Sequence, residues 1–219
     1  MIDRPPLGFV VEGHGEFHCY PSLFCRVVGL CGPILIPRVN AGSCGALVTR
    51  LKEQLTALNL VHKPLEVIIT VDLADVLKQG IYLDCGSLCE ALHQQTSEWL
   101  VEAASDRRLS PLPQRITTVI QIPKFESWLI ADVNSLIKAG YLRHNTTQIE
   151  NSDDTDRPEQ FLGENLTSKS RLKNPIFAKK LVSKLNPVVM RKHSRSFDKF
   201  FRETTRAYSA WLELCRATS

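Results

Sequence analysis

Short, uniformly apolar runs alternate with longer stretches of helical periodicity along this 219-residue chain. Leu7-Gly8-Phe9-Val10-Val11 is the first such run, and it stops abruptly at Glu12-Gly13-His14-Gly15-Glu16. An apolar run without alternation suits a strand covered on both faces, as in a parallel sheet. Phe17 to Val28 predicts a helix closing at Gly29, and Pro33 to Pro37 predicts a second strand bounded by prolines. Ser43 to Leu58 reads as one amphipathic helix, with Leu47, Leu51 and Leu55 on a shared stripe. Leu65 to Val71 carries the strongest strand signal, being rich in β-branched residues and ending on Asp72. Leu88 to Ala104 predicts a helix with Leu92, Trp99 and Leu100 on its apolar side. Ile116 to Ile122 predicts a fourth strand, and Glu126 to Asp132 another helix. Residues 143–167 are polar, acidic and loop-like, and helices are expected near Pro175–Leu185 and Ser194–Cys215.

Strands alternating with helices at this spacing predict an α/β fold, a mostly parallel four-stranded Rossmann-like sheet with helices on both faces. Residues 1–142 would form that core. Residues 143–219 would form an acidic loop and a basic helical C-terminal extension packed on it. No internal repeat interrupts the pattern.

Composition excludes disordered and fibrous classes, with 43% hydrophobic and 23% charged residues. The net charge of +4 is mild but unevenly placed. Lys169, Arg171, Lys173, Lys179, Lys180, Lys184, Arg191, Lys192, Arg195, Lys199, Arg202 and Arg206 follow an acidic run through Glu150, Asp153, Asp154, Asp156 and Glu159. Such a basic quarter is either an electrostatic footprint for nucleic acid or a solvated helix face. The polar, proline-rich start and the odd count of seven cysteines argue for reduced thiols and a cytoplasmic protein. No apolar run approaches a membrane span. Cys85 and Cys89 are four apart, and Cys19, Cys25 and Cys31 six apart, so no paired C-x-x-C zinc knuckle is present.

The chemistry collects where strands end. In open parallel sheets ligands bind beyond the carboxyl ends of the strands, where strand order reverses. Glu12 ends the first strand, Asp72 ends the third, and Glu126 comes just after the fourth. Adjacent first and third strands would lie roughly 5 Å apart, close enough for the acids to share one ion. Carboxylates are hard oxygen ligands suited to Mg²⁺ or Mn²⁺. Glu16 and Asp75 follow at helical spacing, so each pair could share a face, and Gly13 and Gly15 leave the backbone room to turn. The competing reading is that Asp72 or Asp75 simply caps the next helix. The glycine loop lacks the Lys-Ser/Thr of a P-loop and the third glycine of a dinucleotide fingerprint.

Strand one ending Val11-Glu12-Gly13-x-x-Glu16, and a later strand ending in Asp72 with Asp75 close behind, resemble the Toprim fold. More narrowly, the chain is similar to small stand-alone Toprim-like proteins of prokaryotes, of the overcoming-lysogenization-defect type, found beside an ATPase in phage-defence loci. Phe125-Glu126-Ser127-Trp128-Leu129-Ile130-Ala131-Asp132 and His193-Ser194-Arg195-Ser196-Phe197-Asp198-Lys199-Phe200 carry the narrower likeness. The resemblance implies a Mg²⁺-dependent nuclease or phosphoesterase with Glu12, Glu16 and Asp72 catalytic and with Glu12, Asp72, Asp75 and Glu126 on the metal. It also implies nucleic acid as substrate and an ATPase as partner; exposed apolar helix faces would leave room for a homodimer. The pattern departs at Ala74, where an Asp-x-Asp pair would have its second acid. Either a bulge brings in Asp75, or a ligand is missing and the chain is a non-catalytic binding subunit.

Other candidates are weaker. His14 and His18 stand beside the acids as exposed side chains or as an acid or base. Ser194 and Ser196 are expected to cap a helix whose Phe197, Phe200 and Phe201 pack onto the body, or stack on bases. Cys44 has no evident histidine partner, and no Gly-x-Ser-x-Gly elbow exists.

Overall fold

The computed structural model describes residues 4–30, 35–167 and 175–217. Its strands β1 (Leu7–Val11), β2 (Arg38–Asn40), β3 (Glu66–Asp72) and β4 (Arg115–Gln121) form one all-parallel sheet in the order β2-β1-β3-β4. Helix α1 (His14–Val28) joins β1 to β2. Helices α2 (Cys44–Thr49) and α3 (Leu51–His62) join β2 to β3, and α4 (Leu73–Lys78) and α5 (Cys85–Ala104) join β3 to β4. After the sheet come α6 (Phe125–Ile130), α7 (Val133–Lys138), α8 (Pro158–Asn165), α9 (Pro175–Val182), α10 (Pro187–His193) and α11 (Arg195–Ala217).

The sheet divides two apolar cores. Leu7, Phe9 and Val11 face the core shared with α1, α6 and α11, whereas Val10, Val67, Ile69 and Val71 face the core of α2, α3 and α5. The two central strands, β1 and β3, therefore bury both faces, which is why their sequence runs are continuous rather than alternating. From β1 the chain passes to β2 on one side, then returns to β3 on the other. The order reverses between β1 and β3, and this is the point at which open α/β sheets present their ligand crevice.

Local chemistry explains the element ends. Gly29 takes φ 71° and its successor Leu30 returns its N–H to Cys25 O, closing α1 as its sequence predicts. At Gly8 a Cβ would lie 2.9 Å from Pro64 Cγ, so only glycine lets β1 approach the start of β3. The helix expected over Ser43–Leu58 is two helices that break at Arg50 (φ −122°), bridged by Gln54 Nε2 donating to Ala46 O at 3.2 Å. The break keeps Leu47, Leu51 and Leu55 all buried against the sheet. The second strand is displaced from its expected span: Pro33 and Ile34 lie outside the described residues, Leu35 is exposed, and the ladder begins at Arg38. Pro37 has no N–H to give, and joins only by accepting from Phe9 N at 2.9 Å.

Residues 143–167 are not wholly loop, since α8 lies within them and Leu142 bridges Leu166. Nor is the C-terminal part peripheral. Phe197 and Phe200 are fully buried in a cluster with Phe9, Tyr20, Phe125 and Trp128, the Trp128 and Phe200 rings lying 5.0 Å apart. Asp153 holds that helix in place, accepting from Ser194 Oγ (2.6 Å), Ser196 N (2.8 Å) and Ser196 Oγ (3.1 Å). Ser194 Oγ in turn accepts from Phe197 N at 3.0 Å, and Trp128 Nε1 donates to Ser196 Oγ at 2.8 Å. The serine-rich stretch is thus a helix start stapled to the core. Among the described residues no helix is long and apolar enough to cross a membrane.

Candidate metal centre

Glu12 leaves the carboxyl end of β1 one residue before the N-cap of α1, Gly13. Asp72 is the last residue of β3, and α4 starts at the next residue. Because the strand passes straight into a helix, Asp75 comes round one turn later on the side of Asp72. Neither a bulge nor a lost ligand is needed: the helical turn brings Asp75 in, and Ala74 is spent donating its N–H to Pro123 O at 3.0 Å. One oxygen from each of Glu12, Asp72 and Asp75 lies within 4.8 Å of the other two.

Each carboxylate is held by the scaffold. Glu12 Oε2 accepts from Asp72 N at 3.0 Å, tying the two strand ends together, and the nearby Cys44 N–H also favours its charge. Asp72 makes no side-chain cap to its own helix; its Oδ1 accepts from Phe125 N at 2.8 Å, at the start of α6. Asp75 Oδ1 pairs with Lys124 Nζ at 2.7 Å. Glu16 stands behind Gly13, where an added Cβ would come within 3.0 Å of Glu16 Oε2, so the glycine makes room for the second glutamate. Glu126 lies on α6 within electrostatic range of Glu16, Asp72 and Asp75, outside the trio whose oxygens converge.

Burial and mutual repulsion raise these acids. Desolvation lifts Glu12 to about 7, opposed by the N–H bonds it receives. It lifts Glu16 to about 7, with Glu12 and Glu126 adding repulsion. Asp72 is driven well above the usual carboxylate range by burial, then by Glu16 and Glu12, and Glu126 is raised by burial. Burial opposes the charge on Lys124 most strongly of any single influence, yet the hydrogen bond to Asp75 and the charges of Asp75, Asp72 and Glu159 together raise it. An all-oxygen donor set carrying more negative charge than the protein neutralises fits a hard divalent cation.

Beneath the acids lies a polar layer that the sequence pattern does not reveal. Gln121 pairs with Asp72 across the β3–β4 ladder and donates from Nε2 to Tyr20 Oη at 3.1 Å. Its Oε1, and Ser127 Oγ on α6, are buried without a partner among the described residues. Lys124, Gln121 and the Phe125 N–H carry no signal beyond their position at the end of a predicted strand.

The histidines divide. His14 is exposed, and its Nδ1 faces Asn40 Nδ2 at 3.1 Å. Asn40 Oδ1 already accepts from Gly42 N at 2.8 Å, so the amide presents its NH₂ and His14 Nδ1 is the acceptor, leaving the proton on Nε2. His18 is exposed, edge-on to Phe17. His193 Nδ1 meets Glu150 O at 2.9 Å, a structural contact. Burial pushes the Cys44 thiol up to about 11 and the Cys19 thiol to about 12, so both are protonated and inert at neutral pH.

The basic quarter is partly spent on structure. Arg191 and Arg202 pair with Asp198, and Arg206 pairs with Glu66 and Glu203. Lys179, Lys180, Lys184, Lys192 and Arg195 remain exposed, while Lys169, Arg171 and Lys173 lie outside the described residues.

A family profile described as a domain of unknown function, DUF4276, matches residues 11–203. The chain belongs to the DUF4276 family. No curated protein and no solved structure matches it. The DUF4276 match begins at the residue before Glu12 and ends within α11, so it takes in every acid of the centre, with Tyr20, Phe125, Trp128, Phe197 and Phe200 of the aromatic cluster behind it.

Proposed function

We propose that this DUF4276 protein is a divalent-metal-dependent nuclease or phosphoesterase acting on nucleic-acid phosphodiesters, with Mg²⁺ or Mn²⁺ as its ion. The observation that carries the reading is the convergence of Glu12, Asp72 and Asp75 oxygens within 4.8 Å at the switch point of a parallel sheet. The likeness to Toprim proteins noted from the sequence supports it. A bound ion would polarise a phosphoryl oxygen and favour hydroxide over water as the attacking group. Glu12, Asp72 and Asp75 would hold it. Glu16, raised to about 7 and close behind, is poised to accept a proton near neutrality. His14 presents Nε2–H toward solvent, where a phosphate oxygen would arrive. Exposed lysines of α9 and α10 would meet the backbone without reading bases. A partner ATPase and a homodimer belong to the same proposal.

A second reading, a non-catalytic nucleic-acid-binding subunit, is favoured by one observation: Asp75 is already paired with Lys124. Cleavage of plasmid, single-stranded DNA and RNA with Mg²⁺ or Mn²⁺ separates the two. Metal-dependent cleavage lost in both Glu12→Gln and Asp72→Asn is the expected result. Cleavage surviving both substitutions overturns the site assignment, and binding without cleavage selects the second reading.

A further inference from the structure

Lys124 places an ammonium group against the acidic centre. It sits between β4 and α6 as the N-cap of that helix, with about a quarter of its side chain exposed (27%) and its Nζ on Asp75 Oδ1. Asp72 and Glu159 also act on it electrostatically. Five carboxylates, Glu12, Glu16, Asp72, Asp75 and Glu126, are coupled through space here, against this one described lysine contact. Gln121, the ladder partner of Asp72, adds acceptor capacity in its buried Oε1, which has no partner among the described residues. Such surroundings demand a cation, and the chain supplies one on a long flexible stem with three donors.

We propose that Lys124 is a resident counter-cation, displaced from Asp75 by the divalent ion and transferred to a phosphate oxygen of the incoming nucleic acid. The inference rests on the metal-centre reading above. Two cations sharing Asp75 repel each other in a partly buried site, so metal entry weakens the lysine pair. The freed ammonium then lies beside the crevice, where a phosphodiester must approach an otherwise anionic wall. Metal and polyanion binding become linked, because a phosphate that holds Lys124 away from Asp75 favours the metal, and the converse must follow with equal free energy.

Calorimetric titration of Mn²⁺ into the full chain tests this, using wild type, Lys124→Met and Lys124→Gln, each with and without a single-stranded DNA oligonucleotide. Thermal melting identifies the folded variants, and either variant suffices. Removal of the competing charge is expected to tighten Mn²⁺ binding about tenfold. The oligonucleotide is expected to tighten Mn²⁺ binding to wild type by a larger factor than to either variant. A purely structural lysine predicts the opposite sign, since Asp75 would lose its support. Unchanged or weaker Mn²⁺ binding in a folded variant, with wild type binding normally, overturns the role of Lys124 alone. Absence of Mn²⁺ binding in wild type and variants alike overturns the metal centre and this inference together.

Discussion

Glu12 and Glu16 each carry a penalty that a metal ion would relieve. Both ionise near 7 in the folded chain against an ordinary value of 4.5, chiefly through burial. Between these values the folded state holds more protons than the unfolded state, so stability falls as pH rises through that window. Their contribution is complete below about pH 4.5 and lost above about 7. The melting temperature without added metal is therefore expected to drop between pH 5 and 8. The gain on adding Mn²⁺ is expected to be larger at pH 8 than at pH 6. Thermal melts in chelator and in Mn²⁺ check both, and a metal gain independent of pH would refute the carboxylate assignment. Glu12→Gln keeps an acceptor for Asp72 N and Asp72→Asn keeps one for Phe125 N, while each removes a buried charge. Both are expected to melt at or above wild type at pH 8 and to lose the Mn²⁺ shift, as residues kept for chemistry at the expense of stability.

Helix ends and close approaches decide how the elements are held. The start of α11 depends on Asp153, a carboxylate from a distant segment that binds two serines and a backbone N–H. Asp153→Ala strands these donors in the core and is expected to cost about 2–4 kcal/mol, read by denaturant unfolding. Gly8→Ala forces β1 against the rigid Pro64 ring and is expected to cost about 1–3 kcal/mol, with an unchanged Mn²⁺ affinity if the strand end keeps its place. At this scale the sequence was legible where a signal is local. Gly29 closing α1 and a helix beginning near Ser43 need only neighbouring residues. The break at Arg50 and the late start of β2 were not legible, because each answers to a surface contributed by other parts of the chain.

Across the whole molecule the C-terminal third completes the core. Phe197 and Phe200 pack on Trp128 from α6 and Phe200 on Phe9 from β1, and Arg206 pairs with Glu66, which is 4% exposed. Deleting residues 195–219 is expected to leave a chain with helical far-UV signal but no near-UV tertiary signal, binding apolar dyes. A cooperative melt from that fragment would show the extension to be separable after all. The strand runs, the α/β alternation and the acids at strand ends were determined by the sequence itself, since burial on both faces and chain turning leave local residue patterns. Tertiary structure alone decided that β1 and β3 are neighbours, that a helical turn rather than a bulge carries Asp75 to Asp72, and that Lys124 closes on the acids. Those outcomes depend on which residues distant in the chain meet through space, and such meetings leave no trace in local periodicity.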